Sequence, residues 1–577
     1  LEVVMTLMMN VNETRETEVR RAGPWREQVR GLNMLKVEGD DYEMGYQHGQ
    51  MLAAEIPEGP LPYYASYTTK ILGDTLGPLT TVLAPLLKAT IGRQVERKLS
   101  PSVRRTLEGM AEGAGMPVRA VLDGATLPDA LLWLASRLMQ VKNEGPAMHH
   151  RLALGLGCTS ALAWGGATKD GMLLHGRNLD YHGVASWPKH PAVIFHAPAG
   201  ALRYVSVASA GVPVGGFTSM NEAGLTLTVH QHMFTASARL GGEPIGAVGE
   251  LVMRHARNLD DAERILGEHT PIGCWTYVIA DGNRREVLIW EENPERKVAR
   301  RVSSSEEMCN YTNIYLDPEL GATEDNLYGA YWRHNQARYQ RARALLERGR
   351  GAHDAKSIAA ILGDEGDSDC RLSKSIAMLM TVASVVFRPE DGALWVATGT
   401  APTSKNAYVP FSLKHERHAP ELGEVPSQDG SAPGAQAFRA YRDAYIANMD
   451  EDDLPKARRL LSEATRLAPE QPLYHFVSGH LALAQDDVRF AADCFQRALS
   501  LGHEHEERLA SFHLWRGRAL DQLGQRQEAR RHYLHALGHR ADPPVTRAAR
   551  RSLHRPYAPK PGRAKKVEFS FGEVMAP

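Results

Sequence analysis

GLGCTSALAWGGATKDGMLLHGRNLDY, residues 155–181, is where the hydrophobic period of the chain changes. Before it, apolar residues recur at helical three- and four-residue steps; within it they alternate, as strands require. Thr159–Trp164 and Met172–Arg177 read as two short strands around the turn-rich GGATKDG. Cys158 stands at the mouth of the first strand, directly after Gly157, while Arg177 and Asp180 close the second. Pairing Trp164 with Met172 across a seven-residue loop sets Cys158 opposite Asn178, with Arg177 as a neighbour and Asp180 just past the strand end. A tight turn at Asp170-Gly171 would instead set Arg177 opposite Trp164, out of reach. A free thiol titrates near ~8.5; an adjacent guanidinium favours the thiolate, and a carboxylate can hold an amine or the attacking group. These three residues mark a candidate nucleophile site.

Upstream, residues 25–157 read as helical, with Tyr42–Ile56 and Val103–Ala114 carrying the apolar steps and Gly115 a C-cap. Residues 1–24 are polar without periodicity and read as a mobile leader. Downstream come strands at Ala192–His196, Leu202–Ala208, Leu225–His230, Thr276–Ala280, Glu286–Trp290, Thr381–Phe387 and Ala393–Ala397. Helices at Val248–Gly267 and Asn326–Gly349 separate them. Two groups of strands divided by long helices predict an α+β layered domain over 158–415.

ERHAPELGEVPSQDGSAPGAQ, residues 416–436, has the composition of a flexible linker. Beyond it Ala457, Leu461 and Ala464 recur 34 residues on as Ala491, Phe495 and Ala498, and 38 further as Ala529, Tyr533 and Ala536; Gly479 pairs with Gly517. That period and its small residues resemble tetratricopeptide repeats, predicting an all-α repeat domain over 437–555. Residues 556–577 form a basic, Pro-rich tail.

The balance of 67 Lys+Arg against 68 Asp+Glu in 577 residues argues against a nucleic-acid binder. Five scattered cysteines without a CxxC pair describe neither a disulfide framework nor a metal site, and point to a reducing, cytoplasmic location. Val3–Met9 is too short to span a membrane, and Ile71–Ile91 is interrupted by Gly, Pro and charged residues. His230 and His232 share one strand face, but lack a third ligand at recognisable spacing, so His230 is assigned to a substrate pocket and no metal is expected. Tyr181 beside Asp180 is placed at the border of the same pocket. Asn221 of NEAG reads as a turn residue.

From Gly157 to about Gly399 the sequence resembles the penicillin acyltransferase-like and choloylglycine hydrolase group of cysteine N-terminal-nucleophile (Ntn) hydrolases. The resemblance rests on Cys158-Thr159, Gly176-Arg177-Asn178-Leu179-Asp180, Asn221-Glu222-Ala223-Gly224-Leu225, WTYVIADGNRREVLIWEE at 275–292, Tyr311-Thr312-Asn313, Cys370-Arg371 and TVASVVFRPEDGALWVATG at 381–399. GDDYEMGYQHG at 39–49 resembles the pro-region of the acyltransferase branch. The resemblance implies a four-layer αββα sandwich and a zymogen that cuts itself between Gly157 and Cys158, leaving pieces of 157 and 420 residues. It also implies an acyl-enzyme on Cys158. Position by position, Cys158 would be nucleophile and, through its new α-amine, base. Arg177 would sit against the sulfur and Asp180 hold the amine. Asn313 and the main-chain N–H near Gln231 would receive the oxyanion, and Arg371 would contact substrate. Gln231 departs from the bile-salt branch, which has Asn there. No cofactor is implied; the partners are an acyl donor and an amine or water. A protein partner is expected on the repeats. Linear-amide hydrolysis, and a non-catalytic repeat scaffold, stand as the alternative readings.

Overall fold

Strands β1 (Trp25–Val29) and β2 (Leu32–Gly39) form a hairpin whose two turn residues, Arg30 and Gly31, have φ of 52° and 86°. Two consecutive positive φ angles are the hairpin geometry that matches strand twist. This corrects the helical reading at the start of 25–157; among the described residues the helices begin with Asp41–Met51. The computed structural model describes residues 22–63, 66, 80–140, 157–212, 214–232, 235, 237–324, 329–366, 375–428, 430, 432–559, 569–570 and 573–574. Nearly all of the expected leader, Arg371 and much of the basic tail lie outside them.

The core is built on two sheets. The first runs β1-β2-β5-β6-β7-β8-β9-β10-β11, adding β5 (Pro191–Pro198), β6 (Tyr204–Ser209), β7 (Thr218–Asn221), β8 (Leu225–Gln231), β9 (Trp275–Asp281), β10 (Glu286–Asn293) and β11 (Arg296–Val302). The second runs β12-β3-β4-β13-β14-β15-β16: β12 (Met308–Tyr311), β3 (Gly157–Ala163), β4 (Leu174–Asp180), β13 (Thr381–Arg388), β14 (Ala393–Ala397), β15 (Tyr408–Ser412) and β16 (Arg417–His418). Met34, Phe195 and Val207 of the first sheet pack on Val385, Phe387 and Phe411 of the second. Helices Ile245–His255 and Leu259–Glu268 cover the outer face of the first sheet. Helices Gly329–Arg348 and Ala355–Leu362 cover that of the second. The single helix expected at Val248–Gly267 is two, because Asn258 leaves the helix and caps the N–H groups of Asp260 and Asp261. The edge strand β11, RKVARRV, escapes a hydrophobic search because it is charged and half-exposed.

The register of β3 on β4 differs by one residue from expectation: Cys158 lies opposite Leu179, and Arg177 opposite Ser160. Trp164 has left the ladder, donating its N–H to Glu307 O and its indole N–H to Ser304 O. Opposed residues share a face and alternate residues repeat it, so this register turns Arg177 to the face of Cys158; the expected one would have turned it away.

The segment before Cys158 is woven into the rest. Strand β2 pairs in parallel with β5. Helix Asp41–Met51 lies so close to helix Pro101–Gly113 that a Cβ on Gly45 would stand 2.0 Å from Thr106 O. At the other end, the expected flexible linker is bound: β16 joins the second sheet, Val425 bridges to Tyr408, and Gln428 N–H reaches Lys405 O. Seven helices follow, from Pro433–Met449 to Pro543–His554. Gly479 faces the Phe495 ring and Gly517 the Tyr533 ring, where a Cβ would lie 2.5 and 2.6 Å from ring carbons. The small residues of the repeat are thus helix-crossing points.

Candidate active site

Cys158 is the second residue of β3. Arg177, buried on the neighbouring strand, brings Nη2 to 3.4 Å from Cys158 Sγ and donates from Nη1 to Val229 O at 3.0 Å. Asp180, also buried, accepts a 2.5 Å hydrogen bond from Thr381 Oγ1 on Oδ1, while Oδ2 has no hydrogen-bond partner among the described residues. That free oxygen lies over Gly157: a Cβ there would stand 3.0 Å from it and 3.1 Å from Met378 Sδ. This crowding, and not the backbone conformation, is what disfavours a side chain at Gly157, since its φ is not in the left-handed region.

Asn313 follows β12 and is held on both sides of its amide. Its Oδ1 accepts the Cys158 N–H at 2.6 Å, and its Nδ2 donates to Gln231 O at 2.8 Å. On β8 the Val229 N–H points to Phe217 O and the His232 N–H to Cys274 O on the opposite edge. Strand alternation therefore aims the Gln231 N–H past the end of β7. Arg338, which sequence reasoning missed, braces the site from helix Gly329–Arg348. Its Nη1 donates to Cys158 O and Thr159 Oγ1, both at 2.8 Å, and its Nη2 to Asn313 Oδ1 at 3.1 Å and Asn335 Oδ1 at 2.7 Å. The signal was faint: the buried stripe Asn335, Arg338, Ala342, Leu346 carries two polar residues at helical steps.

Burial pushes the Cys158 thiol up, with Arg177 pulling it down and Asp180 raising it further. Burial likewise pushes the Asp180 carboxyl up, against Arg338 and Thr381. The thiol faces a largely apolar, partly open cavity. Tyr181, Trp187, Val229, Phe217 and Trp275 form its walls, and Leu61 with Gly124 contributes from the segment before Cys158. Gln231 also lines it.

Of the residues read from sequence, Cys158, Arg177, Asp180, Asn313, Gln231 and Tyr181 converge here. His230 does not line the cavity. Its alternation with Val229 and Gln231 sends it between the sheets, where Nε2 lies 3.0 Å from Ser160 Oγ, and burial holds it well below the usual imidazole range. Asn221 is a turn residue, accepting from the Ala223 and Leu225 N–H groups. Among the described residues no group of three His, Cys, Asp or Glu side chains is arranged to hold a metal, and no helix is long and apolar enough to cross a membrane.

Residues 167–402 match the family described as AAT, acyl-coenzyme A:6-aminopenicillanic acid acyl-transferase. The match takes in Arg177, Asp180, Gln231 and Asn313 and begins downstream of Cys158. An uncharacterized protein of Archaeoglobus fulgidus is 27% identical over 276 residues, which are 44% of this chain and 42% of that protein, so the chain spans less than half of this relative. Among solved structures, a Caenorhabditis elegans N-acylethanolamine-hydrolyzing acid amidase (NAAA) ortholog is similar at 16% identity and a TM-score of 0.30, over 40% of this chain and 93% of that one.

Proposed function

We propose that the chain is a self-activating cysteine Ntn enzyme that transfers acyl groups through a thioester on Cys158. The observation that carries this reading is the meeting of the Cys158 sulfur and the Arg177 guanidinium at the wall of an apolar cavity, with an Asp180 oxygen lying over the adjoining Gly157. In the first stage the thiolate adds to the Gly157 carbonyl carbon and the peptide nitrogen leaves with a proton. Water then opens the thioester, giving a Gly157 carboxylate and a free Cys158 amine. That amine, with an ordinary pKa of about 7.7–8.0, serves as base near neutrality. Asn313 Oδ1 and Asp180 Oδ2 are the acceptors poised to hold it.

In the second stage the thiolate attacks an amide or thioester carbonyl whose apolar acyl group fills the cavity. The oxyanion takes a hydrogen bond from the Gln231 main-chain N–H and the remaining Asn313 Nδ2–H. Release to an amine is transfer and release to water is hydrolysis. The acyl-transferase match favours transfer, and linear-amide hydrolysis is the same chemistry resolved by water. The two sheets with helices on both outer faces support the αββα arrangement, and the glycine–aromatic crossings support tetratricopeptide-like repeats, a platform for a protein partner. Arg371 remains proposed as a substrate contact.

Intact-mass analysis tests the reading. The purified protein should yield fragments cut before Cys158, Cys158→Ala should stay whole, and incubation with acyl donors should add an acyl mass to the cut form. An uncut, unacylated wild type would leave the scaffold reading instead.

A further inference from the structure

The loop between β4 and β5 supplies two cavity walls, Tyr181 and Trp187, whose rings meet edge-on at 6.1 Å. It folds over Tyr63: Gly183, at φ +82°, comes so close that a Cβ would lie 3.0 Å from the Tyr63 ring and 3.3 Å from the Trp187 ring. Tyr63 in turn follows Leu61, a cavity residue from the segment before Cys158. Both pieces end on one carboxylate belonging to neither. Asp450, at the C-terminal end of helix Pro433–Met449, accepts the Tyr63 hydroxyl on Oδ1 at 3.1 Å and the Ala185 N–H on Oδ2 at 3.3 Å. The same helix packs Phe438, Tyr441 and Tyr445 into one core with Val184 of the loop and with Leu379 and Met380, whose carbonyl receives the Tyr181 N–H.

We propose that Asp450 is a positioning residue for acyl-chain selectivity: from the first helix of the C-terminal array it fixes the Tyr181–Trp187 loop against Tyr63 and so sets how long an acyl chain the cavity takes. This deepens the reading of the cavity as the acyl site and rests on it. A carboxylate suits the task because its two oxygens can hold a hydroxyl and a main-chain N–H at once. Without it the loop gives up its tie to Tyr63 and the far wall of the cavity relaxes.

Alkylation of Cys158 in the full chain by N-alkyl iodoacetamides, from methyl to dodecyl, tests this by mass without requiring turnover. The dodecyl-to-methyl rate ratio should rise about tenfold or more in Asp450→Ala, which removes both hydrogen bonds to the carboxylate, with the methyl reagent reacting as in wild type. A ratio unchanged, or all reagents faster alike, overturns the proposal, because a general loosening does not select by chain length. If Asp450→Ala fails to fold, Tyr63→Phe decides: it removes one arm of the tie and should move the ratio the same way, and an unmoved ratio refutes the tie. A shifted ratio in a protein that never becomes acylated would keep the wall and discard the transferase reading.

Discussion

Cys158 is held in a state opposite to the one the proposed chemistry needs. Removed from water, its thiol is pushed up and favours the neutral form, and Arg177 is the largest of the groups that oppose this. Reaction of Cys158 with iodoacetamide should therefore rise only above the ordinary thiol range. Arg177→Ala should move the onset to still higher pH, by about one unit, since it removes the charge that stabilises the thiolate. A pH profile of alkylation read by mass checks it; an unmoved onset would mean that the 3.4 Å contact is electrostatically idle. Arg177, Asp180 and Asn313 were legible in sequence because their types and order follow the motif. Arg338 was not, being one arginine in a helix full of them.

Among elements, helix Val118–Gln140 combines cavity contact with a buried carboxyl. Asp129, against the first sheet's helix Ile245–His255, is pushed up to about 7 by burial, with the Ile245 N–H and the Trp275 side chain pulling against it. The folded chain thus keeps a proton that the unfolded chain loses near pH 4. Asp129 contributes its full stability below that pH, and the contribution falls away as pH rises towards and through 7. Asp129→Asn should flatten this dependence, leaving the variant about 2–4 kcal/mol more stable than wild type at pH 9 and no better at pH 4. Denaturant melts at the two pH values give the difference. In the C-terminal array, Gly479→Ala drives a methyl into the Phe495 ring. It should cost about 1–3 kcal/mol by overpacking, read from the melting of the array.

At the level of the molecule, the described residues before Cys158 and those after it pack together. Parallel pairing of β2 with β5, the ion pair of Asp41 with Arg254, and the Tyr63–Asp450 hydrogen bond all cross the proposed cut. The 157- and 420-residue pieces should therefore co-elute in size-exclusion chromatography under native conditions and separate only in denaturant. Separate elution in native buffer would show that these links do not hold the cut enzyme together. The helical array is likewise no loose appendage, because its first helix shares a core with the loop that walls the cavity.

Local pattern carried a good part of this protein. Alternation drew the strands around Cys158, residue type drew the candidate nucleophile and its neighbours, and a repeated spacing drew the helical array. These follow from short-range periodicity, which the chain writes directly. Tertiary structure decided which way Arg177 faces, since a one-residue slip of β3 on β4 inverts every side chain. It also decided that a charged N-terminal hairpin completes a sheet, that Arg338 reaches the Cys158 carbonyl, and that Leu61 and Trp187 meet at one cavity wall while Asp450 binds the loop that carries Trp187. Such meetings depend on long-range packing between residues hundreds of positions apart, and no local period encodes them.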